Sequence, residues 1–251
     1  MTLAGRVAVV TGAGRGIGVA YATALAEDGA SVVIADLDAE SARATAADLN
    51  AKGWTAIDAH VDVSDRESTR QLAETVKSAF GGAHIVVNNA AIYHSMRRDS
   101  VLDVDIDYWR KVMAVNVDGA LLMTQAFAPQ MIAAGWGRIV NQSSTAAYSG
   151  GVGGHYAVSK LALVALTQAC ARELGPHGIT VNAIAPGLIF TEATLATVPE
   201  AGRDALRQQQ SINREGSPDD LVGALRYFCS DASAFTSGQV LIVDGFKTVR
   251  T

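Results

Sequence analysis

A chain of 251 residues, 49% hydrophobic and 18% charged, is long enough to bury about 70–75% of its unfolded surface in one large domain. Its formal net charge of −5 argues against a nucleic-acid partner or an anionic membrane surface. The two cysteines, Cys170 and Cys229, lie in separate apolar runs with no CxxC, and the five histidines show no ligand spacing, so no metal site is expected. The first residues lack the apolar core of a signal peptide. No apolar run approaches the roughly 18 residues needed to cross a bilayer, and a cytoplasmic location is the expectation.

The elements follow in order. Arg6 to Val10 is a short β-branched run of the kind found in buried parallel strands. It ends in Thr11-Gly12-Ala13-Gly14-Arg15-Gly16-Ile17-Gly18, and an amphipathic run carrying Ile17, Ala20, Ala24 and Leu25 follows. Strand, glycine-rich turn and helix together present backbone N–H groups and a helix N-terminus to a phosphate. The absence of a Lys-Ser/Thr ending excludes a Walker A loop. A second strand, Ser31 to Asp36, ends in an acid. A carboxylate there can accept from adenosine ribose hydroxyls and would repel a 2′-phosphate, which favours NAD over NADP. Arg15 pulls the other way, because a cation in the glycine loop can pair with that phosphate.

Thr55 to Val63 reads as a third strand, and Ser64-Asp65-Arg66-Glu67 as a capping box opening a helix to about Phe80. His84 to Val87 is a fourth strand, followed by Asn88-Asn89-Ala90-Ala91. Asp107 to Ala134 reads as one long helix with Asn116 in its middle, a poor residue there on propensity. Arg138 to Gln142 is a fifth strand ending in Ser143-Ser144, and Ile179 to Ile184 a sixth ending in Ala185-Pro186-Gly187. Ser217-Pro218 opens a late helix, and Gln239 to Val243 is the last strand. Seven strands alternating with helices predict an α/β fold, a doubly wound seven-stranded parallel sheet with helices on both faces, over a single domain spanning 1–251. Ligands in such sheets bind beyond the C-terminal strand ends. The glycine loop, Asp36, Asp62, Asn88 to Ala91, Ser143 and Pro186-Gly187 all fall there.

Between Ser143 and the sixth strand lies His155-Tyr156-Ala157-Val158-Ser159-Lys160. On a helix Tyr156 and Lys160 share a face, one turn apart. A free phenol has a pKa of about 10, and bringing it near neutrality requires roughly 4 kcal/mol of preferential stabilisation of the phenolate. A neighbouring ammonium can supply part of that.

Thr11-Gly12…Gly16-Ile17-Gly18, Asn88-Asn89-Ala90, Asn116, Ser143, Tyr156…Lys160 and Pro186-Gly187…Thr191, in this order, cover nearly the whole chain. In this combination the sequence resembles the short-chain dehydrogenase/reductase (SDR) family. The resemblance implies a catalytic tetrad of Asn116, Ser143, Tyr156 and Lys160. Tyr156 would be the general acid/base, and Lys160 would lower its pKa and bind the nicotinamide ribose. Ser143 would polarise the substrate oxygen, and Asn116 would hold a water linking Lys160 to solvent. The cofactor-binding set is Gly12, Arg15, Gly16, Ile17, Gly18, Asp36, Asp62, Val63, Asn89, Ala90, Tyr156, Lys160, Pro186, Gly187, Ile189 and Thr191, with Ile189 and Thr191 on the carboxamide and Asp62 and Val63 beside the adenine. The cofactor expected is NAD rather than NADP. Two positions depart from the family pattern, Ala91 and Phe246, each standing where Gly is usual.

The expected reaction is hydride transfer between NAD(H) and a small-molecule secondary alcohol or ketone. The alternatives are a 3-oxoacyl-(carrier protein or CoA) reductase, for which Arg97, Arg98, Arg207 and Arg214 are scattered docking candidates, and a non-catalytic dinucleotide sensor. A substrate lid is expected at about 190–216, with Leu195, Val198, Leu206 and Ile212. Tyr93, His94, Tyr148, His155 and Phe190 are expected to add aromatic character to the substrate pocket, with the Gly150 to Gly154 run as a flexible segment beside it. The helix from Tyr156 to Leu174 is apolar nearly all round. A helix of that kind is buried on every side, part of it at a subunit interface, and the resemblance implies a homotetramer.

Overall fold

The computed structural model describes residues 2–93, 96–150, 153–197 and 200–248. Seven parallel strands form one sheet in the order β3-β2-β1-β4-β5-β6-β7. They are β1 (Val7–Thr11), β2 (Ser31–Asp36), β3 (Ala56–His60), β4 (Ile85–Asn88), β5 (Gly137–Gln142), β6 (Ile179–Pro186) and β7 (Val240–Val243). The order reverses between β1 and β4, so a crevice opens there at the C-terminal strand ends.

Alternation along β1 explains why both faces are covered. Ala8 and Val10 belong to one buried cluster, and Val7 and Val9 to another on the opposite face. The first cluster is closed by α1 (Gly16–Glu27), α2 (Ala39–Ala51) and α10 (Asp219–Cys229), through residues such as Tyr21, Leu25, Leu49, Leu225 and Phe228. The second is closed by α3 (Arg66–Phe80), α5 (Gly119–Ala134) and α7 (Gly154–Leu174), through Leu72, Val76, Met123, Phe127, Met131 and Leu174. Isolated helices of 11 to 16 residues, such as α1, α2, α3, α5 and α10, are marginal in water, so this burial is what holds them.

Several local expectations are corrected. The third strand is shorter than read, because its residues beyond His60 turn into the cleft. The cap of α3 is Asp65, whose carboxylate accepts from the Glu67 N–H, while Ser64 instead donates to Asp62. The long helix over 107–134 is three pieces: α4 (Ile106–Met113), a π turn over Ala114–Asp118, and α5. In the π turn the Gly119 N–H reaches back to the Ala114 carbonyl. The extra residue per turn swings Asn116 into the interior, where it is buried. The late helix begins at Asp219, with the Asp220 carboxylate accepting from the Ser217 N–H and hydroxyl. α7 is not buried all round: Val158 and Leu161 are exposed.

The segment before α7 contains a helical turn, α6 (Ala146–Ser149), closed by Gly150 in the left-handed region. Residues 151 and 152 lie outside the described residues. The expected lid folds as α8 (Glu192–Thr197) and α9 (Glu200–Arg207). Within it Leu195 and Ile212 are exposed, Val198 lies outside the described residues, and the Leu206 side chain is not described. Phe246 has φ 62°, the left-handed conformation that suits the glycine usual at that position, and its ring is exposed.

Candidate active site

At the crevice lies a cavity of about 1360 Å³, larger than the roughly 300–1,000 Å³ of ordinary small-ligand sites. One end is lined by Gly14, Arg15, Asp36, Asp38, Ser41, Asp62 and Val63, and the other by Tyr93, Ser143, Ser144, Tyr156 and Lys160. Asn89, Ala90, Pro186, Gly187, Ile189 and Thr191 lie along it.

The glycine loop is held from β4. Thr11 Oγ1 donates to the Val87 carbonyl and accepts from the N–H groups of Asn89 and Ala90, at 3.1–3.2 Å. Asn89 Nδ2 donates to the carbonyls of Thr11 and Gly12 at 2.9 and 3.0 Å. The Asn89 side chain therefore serves the loop's shape. Gly16, at φ 58°, takes a backbone conformation that a side chain would strain, and it opens α1 facing the Thr191 methyl. Gly18 has a different task from the expected one. It does not line the cavity, and a Cβ there would stand 2.1 Å from the Gly12 carbonyl oxygen, so it permits the close packing of α1 on β1. The N-cap of α1 is Arg15, with no side-chain cap bond. That leaves the first-turn N–H groups free for an anion beside the cavity. This uncapped terminus and the glycine floor fit the pyrophosphate of a dinucleotide. Asp36 at the β2 end accepts from the Gly14 N–H at 2.8 Å and from the Asp38 N–H at 3.0 Å, which leaves its remaining lone pairs for ribose hydroxyls.

At the other end Tyr156 stands in the first turn of α7, its ring 5.4 Å from that of Tyr93. Lys160, one turn on, is fully buried. Its Nζ donates to the Gln142 carbonyl at 2.7 Å and lies 5.5 Å from the centre of the Tyr156 ring. Burial lowers Lys160 to about 7. Burial also pushes the Tyr156 hydroxyl well above the ordinary phenol value, as does Tyr93, while a hydrogen bond with the Ser144 side chain pulls it down. The expected depression of Tyr156 by Lys160 is therefore absent from this geometry. The ammonium lies over the ring and is tied to Gln142, and desolvation weakens its charge.

The polarising serine is also corrected. Ser143 continues the pairing of β5, its N–H donating to the Ile184 carbonyl, and its hydroxyl donates to the Lys160 carbonyl at 2.8 Å. Ser144 lines the cavity with Tyr156, and its side chain is the one that lowers the Tyr156 hydroxyl. Side chains alternate along an extended chain, so neighbouring serines face opposite ways. Nothing in Ser143-Ser144 as written says which one faces the tyrosine.

Asn116 does not line the large cavity. Its Oδ1 accepts from the Ile92 N–H at 2.8 Å, and its Nδ2 donates to Ser159 Oγ at 3.0 Å. The side chain thus ties the loop after β4 to the helix bearing Tyr156.

Of the residues expected around the substrate, Tyr93 lines the cavity; Tyr148, His155 and Phe190 do not, and His94 lies outside the described residues. His155 is buried against Tyr108, and its Nδ1 accepts from the Tyr156 N–H at 2.6 Å. Ile92, Tyr108, Lys111 and Val115 are cavity residues that the sequence reading missed. The last three come from the face of α4 and the π turn, which only the bend brings into the crevice. Among the described residues no group of three or more His, Cys, Asp or Glu side chains could hold a metal ion, and no helix is long and apolar enough to cross a membrane.

Sheet order, glycine loop and a buried Tyr-Lys pair at one crevice define a Rossmann-type oxidoreductase site. The chain belongs to the short-chain dehydrogenase/reductase family. A family model described as enoyl-(acyl carrier protein) reductase matches residues 12–245. An uncharacterized oxidoreductase of Mycobacterium tuberculosis is 46% identical over 98% of both chains. The 3-oxoacyl-[acyl-carrier-protein] reductase of Aquifex aeolicus is 36% identical over 97% of each. Among solved structures, a gluconate 5-dehydrogenase from Burkholderia cenocepacia, in complex with NADP and tartrate, superposes with TM-score 0.93 at 36% identity, covering 100% of this chain and 98% of that one.

Proposed function

We propose that this oxidoreductase is a cytoplasmic, NAD-dependent dehydrogenase/reductase of secondary alcohols and ketones, with Tyr156 as general acid/base. The observation that carries the reading is the Tyr156–Ser144 hydroxyl pair at the buried end of a cleft whose far end is acidic. When bound, the dinucleotide supplies the carbon that gives or takes hydride and, in its oxidised form, a positive charge that favours the phenolate. The Gly12 to Ile17 loop and the α1 terminus would hold its phosphates, Asp36 the adenosine ribose, Asp62 and Val63 the adenine, and Ile189 and Thr191 the carboxamide. Ser144 hydrogen-bonds the substrate oxygen. Tyr156 donates its proton to that oxygen in reduction and takes it back in oxidation. Burial holds the Tyr156 hydroxyl in its protonated form in the absence of that charge.

Asp36 supports NAD, and the acidic neighbour Asp38 adds a second charge that a 2′-phosphate would meet. The NADP in the Burkholderia structure favours the other cofactor, and the Aquifex relative favours a 3-oxoacyl reductase. Against carrier-protein docking, Arg97 pairs with Asp99, Arg207 with Asp204 and Glu215, and Arg214 with Asp220. Those pairs neutralise three of the four expected docking arginines. The deciding assay follows nicotinamide absorbance with NAD and NADP against secondary alcohols, sugar acids, hydroxysteroids and acyl-thioester analogues. Turnover of a simple alcohol or ketone with NAD is the expected result. Turnover confined to acyl thioesters with NADPH would favour the reductase reading, and dinucleotide binding without turnover across the panel would favour a sensor.

The assembly proposed is a homotetramer. Val158 and Leu161 on α7 and Leu121 on α5 are exposed, as are Leu241 on the edge strand β7 and Phe235 before it. Apolar surface on two packed helices and on a sheet edge suits self-association. Sedimentation is expected to give a tetramer, and a monomer at all concentrations would refute it.

A further inference from the structure

Asp38 does more at this end of the cavity than add charge: it occupies two side-chain donors, of Arg15 and Ser41, that a phosphate monoester could use. Its Oδ2 accepts from Arg15 Nη2 at 2.9 Å and from Ser41 Oγ at 2.7 Å. Its Oδ1 accepts from the Ser41 N–H at 3.2 Å and caps α2. Arg15, Leu37, Asp38 and Ser41 line the cavity together with Asp36. Leu37, between the two acids and 64% exposed, brings no donor. The local charge is two carboxylates against one guanidinium.

We infer that Asp38 determines cofactor specificity in this chain, by tying Arg15 and Ser41 away from the adenosine 2′ position. The inference rests on the assignment of the Asp36 end to the adenosine ribose. A guanidinium and a hydroxyl are the chemistry that binds a 2′-phosphate, and the sequence places both beside the glycine loop. What denies them to NADP is the third residue of the cluster. The Arg15–Asp38 pair is largely solvated, with side-chain exposures of 61% and 43%. It is thus a weak tie, and a charge-neutral side chain at position 38 suffices to undo it.

Asp38→Asn tests this with little change of shape. Asn caps a helix as well as Asp does, so its Oδ1 can keep the Ser41 N–H. Its amide nitrogen replaces the oxygen that accepts from Arg15 and Ser41, which releases both donors and removes one negative charge. Binding of NAD and of NADP to the wild type, Asp38→Asn, Arg15→Gln and the double variant is measured by calorimetry, with no turnover required. The ratio of NADP to NAD affinity is expected to rise about tenfold in Asp38→Asn, to rise markedly less in the double variant, and to lose much of its gain in high salt. An unchanged ratio in Asp38→Asn overturns the inference. An equal rise in the single and double variants overturns it as well, because repulsion alone would then explain the gain. A wild type that prefers NADP refutes the NAD reading, and the comparison of single with double variant still judges Asp38 on its own.

Discussion

Tyr156→Phe is expected to lower turnover by about 10³-fold in both directions, while the dinucleotide still binds within a few-fold of wild type. The size follows from general acid–base catalysis, which contributes about 10²–10⁴. The substitution removes one oxygen and keeps the ring, which stays packed against Tyr93 at 5.4 Å. The cost to stability is about 1 kcal/mol, the worth of one hydrogen bond. Ser144 still accepts from the Ala146 N–H at 3.2 Å, so the loop that carries it keeps a local tie. Steady-state rates together with calorimetric NAD binding check this. A near-normal rate in Tyr156→Phe would remove the tyrosine from the chemistry. A matching loss of dinucleotide binding would instead show a collapsed site.

The second large effect separates the two serines. Ser144→Ala is expected to reduce kcat by about 10²–10³-fold, the usual consequence of losing one hydrogen-bond donor to a reacting oxygen. Ser143→Ala is expected to cost about 1 kcal/mol of stability, through its lost bond to the Lys160 carbonyl, with a much smaller change in kcat. A pH profile gives a further readout. The Ser144 hydrogen bond lowers the Tyr156 pKa against the opposing push of burial. Without it the phenolate forms at higher pH, so the rising limb of the oxidation rate moves to more alkaline pH in Ser144→Ala. In Ser143→Ala that limb stays in place. The opposite ranking of the two variants would restore Ser143 as the polarising group.

These two serines show where reading the chain stops being sufficient. The parallel strands were legible because β-branched runs such as Val7 to Val10 and Ser31 to Ile34 have little choice but a buried sheet. The turn after β1 was legible because glycines at that junction serve backbone approach. The spacing of Tyr156 and Lys160 was legible because helical geometry is local. Each of these features is dictated within a few residues of itself.

The rest depends on contacts between distant segments. Ser144 differs from Ser143 only by facing the other way, and the register of β5 against β6 sets that direction. The π turn at Asn116 breaks a sequence that reads as continuous helix. The Asn116 amide gains partners in Ile92 and Ser159, 24 and 43 residues away. Asp38 lies two residues beyond Asp36, and only folding sets it against Arg15, 23 residues back in the chain. Lys160 was expected to act on the Tyr156 hydroxyl, and the burial of both groups reverses the direction of the tyrosine shift. The sequence by itself determined the sheet, the crevice and the cast of residues at its rim, because periodicity and turn chemistry are short-range. Only the tertiary structure decided which hydroxyl meets Tyr156, which cation is tied down and how strongly each proton is held, because direction and desolvation arise only when remote segments pack together.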